Sequence, residues 1–433
     1  MPLSPLQPHP ERVALSNELH ARPFPKLNTP SRAACIAIER DASQPDADRQ
    51  FLLRLLDHYG GGHPAPEANH HSVDLGRAML KWERHSEFCT FTLYVDGLSQ
   101  PGFSGETFDH FPKDWLASAP GRLLSSTLVR IEHAHTAAEV EARIDLETAD
   151  WFIRESRAVS YISGGSAAVA SDFRLDEKSN VRFVVYMIGD TLAHRTGRTV
   201  QRLIEIETYK SMAMLSLPVA RRVFSALVTL DRGLSEVVGE MSKGAGSPEQ
   251  TLERLLDISA RIEMLSAQTA FRFSAAEAYS AIVNQRIEVL NETPLMGGLL
   301  MGEFMTRRFA PAMRTCTSAH DRLHELSRRA TRASRLLGTR VNVLANAQSQ
   351  KLLKQMDKRA LQQIRLQQTV EGLSVFAISS YAVTLLDTML QPLLAGVEWA
   401  DRWLGPMLVP PVFLIVFLLV RRVSKVISKD DKG

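Results

Sequence analysis

Residues 373–390 read LSVFAISSYAVTLLDTML, with Asp387 as the one charge, and residues 404–420 read LGPMLVPPVFLIVFLLV, with none. About 20 apolar residues, within a range of ~17–25, cross a bilayer core as a helix. Each segment is long enough to span, and together they predict a two-helix transmembrane hairpin over residues 372–422. The alternative for either segment is a helix buried in a protein core. Lys351, Lys354, Lys358, Arg359 and Arg365 precede the first segment. Arg421, Arg422, Lys425 and Lys429 follow the second, in a basic tail at 423–433, and the loop between carries Glu398 and Asp401 against Arg402. Basic flanks stay on the cytoplasmic side. The expectation is therefore a multi-pass protein of the bacterial inner (cytoplasmic) membrane with both termini inside. Trp399 and Trp403 stand where an interfacial aromatic belt would lie, and Pro410 and Pro411 kink or restart the second helix, as membrane helices tolerate. Ser380, Thr384, Asp387 and Gln391 recur at i, i+4, i+7 and i+11 and make one polar stripe on the first helix. Such a stripe either hydrogen-bonds a second helix or a neighbouring subunit, or lines a water-filled path.

Working back toward the N-terminus, residues 191–371 are dominated by good helix formers and interrupted by few prolines. They predict a helical bundle ending in a long stalk helix. Ser247-Pro248-Glu249-Gln250 reads as a helix start, with serine as N-cap and proline in the first turn. From 320 to 370 there is no proline, and Leu323, Leu326, Ala330, Ala333, Leu337, Val341 and Leu344 recur at heptad-like spacings. That is coiled-coil character, with homo-oligomerisation as its consequence. The same stretch carries eleven Lys or Arg against three acids. Beside a bilayer such charge is drawn to anionic lipid; the alternative is a solvated face paired with acids of neighbouring helices. The whole chain is only +3 and no aromatic residues interleave with the basic ones, so nucleic acid is not expected as a partner.

Residues 1–190 have a different texture. Runs of β-type residues at 33–38, 88–95, 124–131, 158–162 and 181–188 are separated by helical stretches such as 48–58 and 137–148. This mixture defines an α/β-type domain and makes the whole chain α+β: mixed domain, helical bundle and stalk, membrane hairpin. Hydrophobic residues at 45% and charged residues at 23% belong to a folded protein. Cys35, Cys89 and Cys316 are odd in number and widely spaced, which argues against a disulfide framework and a cysteine zinc site. The proline-rich opening MPLSPLQPHPERV is unlike a secretory signal.

Four stretches together resemble a family: ELHARP at 18–23, WERHSEF at 82–88, GRTVQRLIEIETYKSMAML at 197–215 and LQQTVEGLSVFAIS at 366–379. They are similar to the signatures of domain of unknown function 3422, a bacterial family described as uncharacterised membrane-anchored proteins. The resemblance implies a membrane anchor and implies no activity.

Two clusters suit chemistry. Glu18, His20 and Arg22 would serve acid–base work or phosphate binding, or else tie an N-terminal arm to the domain. Glu83, His85 and Glu87 alternate along a predicted strand and, on one face, would offer two carboxylates and an imidazole to a divalent metal; a solvent-facing strand edge has the same pattern. Gly60–Gly62 and Gly164-Gly165-Ser166 lack a nucleotide-binding context, GxSxG is absent, and no cofactor is indicated. The leading expectation is a non-enzymatic, membrane-anchored cytoplasmic binding, scaffold or sensor protein. One rival is an oligomeric ion conduit, similar in layout to CorA-type channels but with Leu386-Asp387-Thr388-Met389-Leu390 where those carry Gly-Met-Asn. Another is a membrane-tethered enzyme using the N-terminal clusters.

Overall fold

The computed structural model describes residues 7, 9–13, 15–16, 23–41, 43–100, 102–243, 247–390 and 400–430, with side chains described for 405–422 of the last stretch. The chain divides into two compact units, Met1–Ser334 and Arg335–Gly433.

The first unit is built on a nine-stranded mixed sheet: β1 (Ser31–Glu39), β2 (His70–Asp74), β3 (Met79–Arg84), β4 (Phe88–Asp96), β5 (Leu123–Ala134), β6 (Ala158–Ile162), β7 (Ala167–Ser171), β8 (Val181–Ile188) and β9 (Thr293–Pro294). The spatial order is β2-β3-β4-β1-β5-β8-β7-β6-β9. Neighbours pair antiparallel except β5 and β8. Side chains alternate across a strand, and β4 shows the consequence. Cys89, Phe91, Leu93 and Val95 enter an apolar cluster with helix α1 (Ala47–Tyr59), while Phe88, Thr90, Thr92 and Tyr94 face the other way.

Helix α1 contributes Phe51, Leu52, Leu55 and Leu56 to that cluster, and Trp115 of the short α2 (Lys113–Ala117) stacks on Phe51 with 3.8 Å between ring centroids. Asp48, buried in the first turn of α1, accepts two bonds from Arg84 at 2.7 and 2.8 Å and lies 3.2 Å from Arg40. Removing a charge from water costs several kcal/mol unless it is paired, and here two guanidiniums do the pairing. In the other half of the sheet α3 (Ala137–Ala149) covers β7 and β8 through Val140 and Ile144. Its N-cap Thr136 accepts from Glu139 N, and the Glu139 carboxylate takes His135 N in return.

The opposite face of the sheet is crossed by α4 (Ala193–Met214), which contacts β1, β5 and β8. Helix α5 (Ser216–Lys243) buries Ala220, Val223, Leu227, Leu230, Leu234 and Val237, a stripe at helical spacing. Helix α6 (Pro248–Leu290) packs on both and starts where expected, with Ser247 as N-cap and Pro248 behind it. The Ser247 hydroxyl turns to the Glu249 carboxylate instead of capping the backbone. After β9, Glu292 accepts the Met301 and Gly302 amides at 3.0 and 2.8 Å, holding a carboxylate at the N-terminus of α7 (Met301–Phe304). A π-helical turn, Met305–Phe309, leads into α8 (Ala310–Leu390), inside which the division between the two units falls.

In the second unit every residue from 338 to 370 of α8 is exposed. Val375 of α8 is buried in a cluster with Val412 and Val416 of α9 (Ala400–Asp430), flanked by Ala382, Val383 and Val420. Among the described residues three helical stretches are long and apolar enough to cross a membrane: Ala193–Lys243, Met301–Leu390 and Gly405–Arg422. The chain is thus a mixed-sheet domain followed by long helices and a C-terminal helix.

Candidate functional site

Between the upper face of β3 and β4 and helices α4 and α6 lies a cleft of about 220 Å³. The alternation of the strands brings Thr90, Thr92 and Tyr94 to it from β4 and Glu83 from β3, with His85 just beyond that strand. Helix α4 presents Gln201, Ile204, Glu205, Thr208 and Tyr209, which recur at three- and four-residue spacing and so share one side. Arg286 reaches in from α6 and Phe24 borders the mouth.

Charges in the wall form a continuous chain from Glu83 to Arg286. Lys81, only 2% exposed, donates to Gln201 Oε1 at 2.8 Å and lies 3.2 Å from Glu83. Gln201 Nε2 donates to Glu205 Oε1 at 2.8 Å, and Arg286 Nε donates to Glu205 Oε2 at 2.5 Å. Two acids and two bases cancel. Farther along, Arg202 holds its proton less tightly than an ordinary arginine, because it is partly buried and near the guanidiniums of Arg198 and Arg286. An aromatic wall closes another side. His85 stacks on Phe88 at 4.3 Å, with the Tyr209 ring edge-on to both at 6.1 and 6.0 Å. Burial lifts the Tyr94 hydroxyl well above the usual range, so it remains a neutral donor and acceptor.

Among the described residues, two hydroxyls of the cleft lining have no hydrogen-bond partner. Thr90 is 6% exposed and Thr208 3%, and neither Oγ1 reaches a donor or acceptor. A buried hydroxyl without a partner costs on the order of 1–3 kcal/mol. The two approach the cleft from opposite sides, one on the sheet and one on the helix.

The residues singled out in the sequence distribute as follows. Glu18, His20 and Arg22 lie outside the described residues, as does Gln391. Glu83 and His85 do line the cleft. The strand predicted to run through Glu87 ends at Arg84, because His85 N bonds Phe88 O and closes a tight turn. The expected common face of Glu83, His85 and Glu87 therefore does not form. Glu87 turns away to α6, where Arg272 grips it at 2.8 and 3.0 Å and the Tyr279 hydroxyl donates at 2.6 Å. Burial and the Glu87 carboxylate raise the pKa of Tyr279. Among the described residues no three His, Cys, Asp or Glu side chains converge as metal ligands. In the second unit Thr384 Oγ1 and Thr388 Oγ1 donate to the Ser380 and Thr384 carbonyls of their own helix. Asp387 lies beside Gly405 of α9.

Sequence reading missed Thr90, Thr92, Tyr94, Gln201, Glu205, Thr208, Tyr209 and Arg286. The available signal was the set of polar residues at 201, 205 and 208, on a helix whose neighbouring positions are apolar and buried.

Fold and cleft define a class: a mixed-sheet protein with long helices after the sheet and a charge-balanced polar cleft between sheet and helix. The chain belongs to the family described as Protein of unknown function (DUF3422), whose model matches residues 7–427. No curated protein matches the chain.

Proposed function

We propose that the protein is a membrane-tethered receptor for a small molecule, with the cleft between β3, β4, α4 and α6 as its binding site. One observation carries the binding role. In a cleft whose charged groups Lys81, Glu83, Glu205 and Arg286 are mutually paired, the buried hydroxyls of Thr90 and Thr208 stay vacant. Among the described residues other buried polar atoms, such as Thr127 Oγ1 and Trp82 Nε1, are unmatched as well; Thr90 and Thr208 are distinguished by lining this cleft. Pairing of both cleft carboxylates favours binding over acid–base catalysis, so the tethered-enzyme alternative is not adopted.

The tether is the C-terminal pair of helices, read as a hairpin across the inner membrane with both termini cytoplasmic. Its support is the outward apolar surface. Leu373, Phe376, Tyr381, Leu385 and Met389 of α8 and Met407, Leu414, Ile415, Leu418 and Leu419 of α9 are all exposed, which water does not favour and a bilayer does. Ala193–Lys243, although apolar enough, belongs outside the bilayer, because α4 crosses the sheet and α5 packs on α6. The basic positions of α8 from 335 to 365 are exposed and suit anionic lipid. With its apolar side chains also exposed, that segment suits a homo-oligomer. Thr384 and Thr388 spend their donors on their own backbone, which favours packing over conduction for the polar stripe.

Alkaline carbonate extraction tests the tether: the full chain should remain in the membrane pellet and a chain ending at Val370 should not. A reporter fused after Gly433 should appear in the cytoplasm; its appearance outside would reverse the topology. Binding is tested by ligand-observed NMR on the full chain, since a protein that binds no small molecule in a Thr208-dependent way is not this receptor.

A further inference from the structure

We infer that the cleft takes a small, neutral, polyhydroxylated ring, a monosaccharide or cyclitol by chemistry. The inference rests on the cleft being a binding site and goes on to name what it binds. Size comes first. At about 220 Å³ the space equals roughly seven waters at ~30 Å³ each and falls below the ~300 Å³ at which sites for drug-sized ligands begin. One ring fills it; a nucleotide or a peptide would have to extend out of the open mouth.

Charge comes second. Lys81 and Glu83 pair with each other and Arg286 with Glu205, and Gln201 bridges the two pairs through Lys81 and Glu205. A charged ligand would have to break one of these pairs inside a partly desolvated wall, whereas a neutral one leaves them intact. An apolar occupant fails for a different reason. It would leave the Thr90 and Thr208 hydroxyls as unmatched as they are in the free protein and gain nothing from them.

The kind of polar group comes third. A hydroxyl both donates and accepts, and the vacant groups stand on opposing walls, Thr90 on β4 and Thr208 on α4, with Thr92, Tyr94 and the carboxylates of Glu83 and Glu205 around them. The occupant must therefore carry groups of mixed donor and acceptor character around its rim. Meanwhile the stacked His85 and Phe88, the Tyr209 edge and Phe24 at the mouth offer an apolar surface to the ring itself. Hydroxyls around a ring with an apolar face satisfy both demands.

The test uses the full chain in mild detergent. D-glucose and myo-inositol are the probes, and glucose 6-phosphate, adenine and cyclohexanol are the comparisons, read by saturation-transfer NMR and titration calorimetry. One of the two polyols should bind at one site per chain, and the comparisons should bind more weakly. Thr90→Val and Thr208→Val should each lower polyol affinity about tenfold, the cost of one hydrogen bond. Phe24→Ala, at a residue 42% exposed and so without risk to folding, should also weaken it. Binding of glucose 6-phosphate, adenine or cyclohexanol that depends on Thr208, with neither polyol binding, would overturn the ligand class and leave the cleft as a site. Polyol binding unaffected by all three substitutions would place the ligand elsewhere and overturn the inference. No binding by any of the five would overturn both the inference and the cleft as a receptor site.

Discussion

Replacing Thr90 and Thr208 by valine should stabilise the protein while lowering the proposed ligand affinity about tenfold per site. Valine has nearly the shape of threonine, so no cavity opens, and the substitution removes a buried hydroxyl that bonds nothing. Leaving such a group unsatisfied costs about 1–3 kcal/mol. Both oxygens are closed to water in the structure, so only small shifts of the surrounding side chains can recover part of that cost. The gain should therefore fall near the lower end, about 1 kcal/mol per site and about 2 kcal/mol for the double variant. Ser160 is the internal control. Its hydroxyl is equally buried but donates to Glu292 at 2.6 Å, so Ser160→Ala should destabilise by about 1–2 kcal/mol. Urea unfolding followed by tryptophan fluorescence separates the cases, because Trp82 and Trp115 lie in the apolar cluster on the far side of the sheet and report its loss. The midpoint should rise for the valine variants and fall for the control, with the slope unchanged. If Thr208→Val instead destabilised by about 1 kcal/mol or more, its hydroxyl would be engaged in the free protein, and the vacancy on which the receptor reading stands would not exist.

Three further perturbations have outcomes of known sign. At Gly197 a Cβ would collide with the Pro25 carbonyl; alanine gains up to about 1 kcal/mol of helix propensity but displaces the arm that buries Leu27 and bonds Leu27 N to Ala193 O. Those contacts are worth about 2–4 kcal/mol, so Gly197→Ala should lose about 1–3 kcal/mol net and open 23–28 to proteolysis; unchanged resistance would sink the assignment. Glu87→Ala strips the acceptor from Arg272 and Tyr279, both partly buried, and should cost about 2–3 kcal/mol, whereas a loss within error would mean the pair is solvated. Burial pushes the thiols of Cys35 and Cys89 up to about 12 from a usual 9.0. Above pH 9 the unfolded chain releases these protons and the folded one keeps them, so stability should fall as pH rises from 9 toward 12, by about 1.4 kcal/mol per pH unit for each thiol. Neither cysteine should react with iodoacetamide at pH 8.5 until the sheet unfolds.

The parts of the fold that were legible are those in which one local rule dominates. β1, β4, β5, β6 and β8 coincide with runs of β-branched, aromatic and aliphatic residues, and α1 and α3 with short amphipathic stretches. β7 was missed for a physical reason. It lies inside the sheet beside β8 and β6, and every residue from Ala167 to Ser171 is buried although four of the five are alanine or serine. Alanine and serine have low strand propensity, and tertiary context overrides it. β2, HHSVD, is an edge strand with little buried surface and no apolar run to announce it. The alternation read through Glu87 failed because a turn after Arg84 re-aims that side chain, and alternation counts residues without seeing where a strand stops.

The cleft was half legible for a related reason. Trp82–Phe88 and Gly197–Leu215, two stretches that carry the family resemblance, turn out to face one another across it, yet 120 residues separate Lys81 from Gln201. No local pattern pairs them; only the sheet order does. What the sequence does contain is a conflict between levels on α4, where Thr196, Thr199, Gln201, Glu207 and Thr208 are buried on a helix that otherwise buries mainly apolar residues. Such conflicts collect at functional sites, and the structure sorts them. Gln201 is matched by Lys81 and Glu205, and Glu207 by Lys210 and Ser211, so these stabilise the fold as it stands. Thr208, a residue of the cleft lining, is matched by nothing among the described residues. A buried polar group that the fold satisfies explains itself. One that the fold leaves open on the lining of a cleft, with a second left open on β4 of the same lining, has room beside it for a partner from outside the chain, which is why the proposed binding site is centred on these two threonines before any of the charged residues around them.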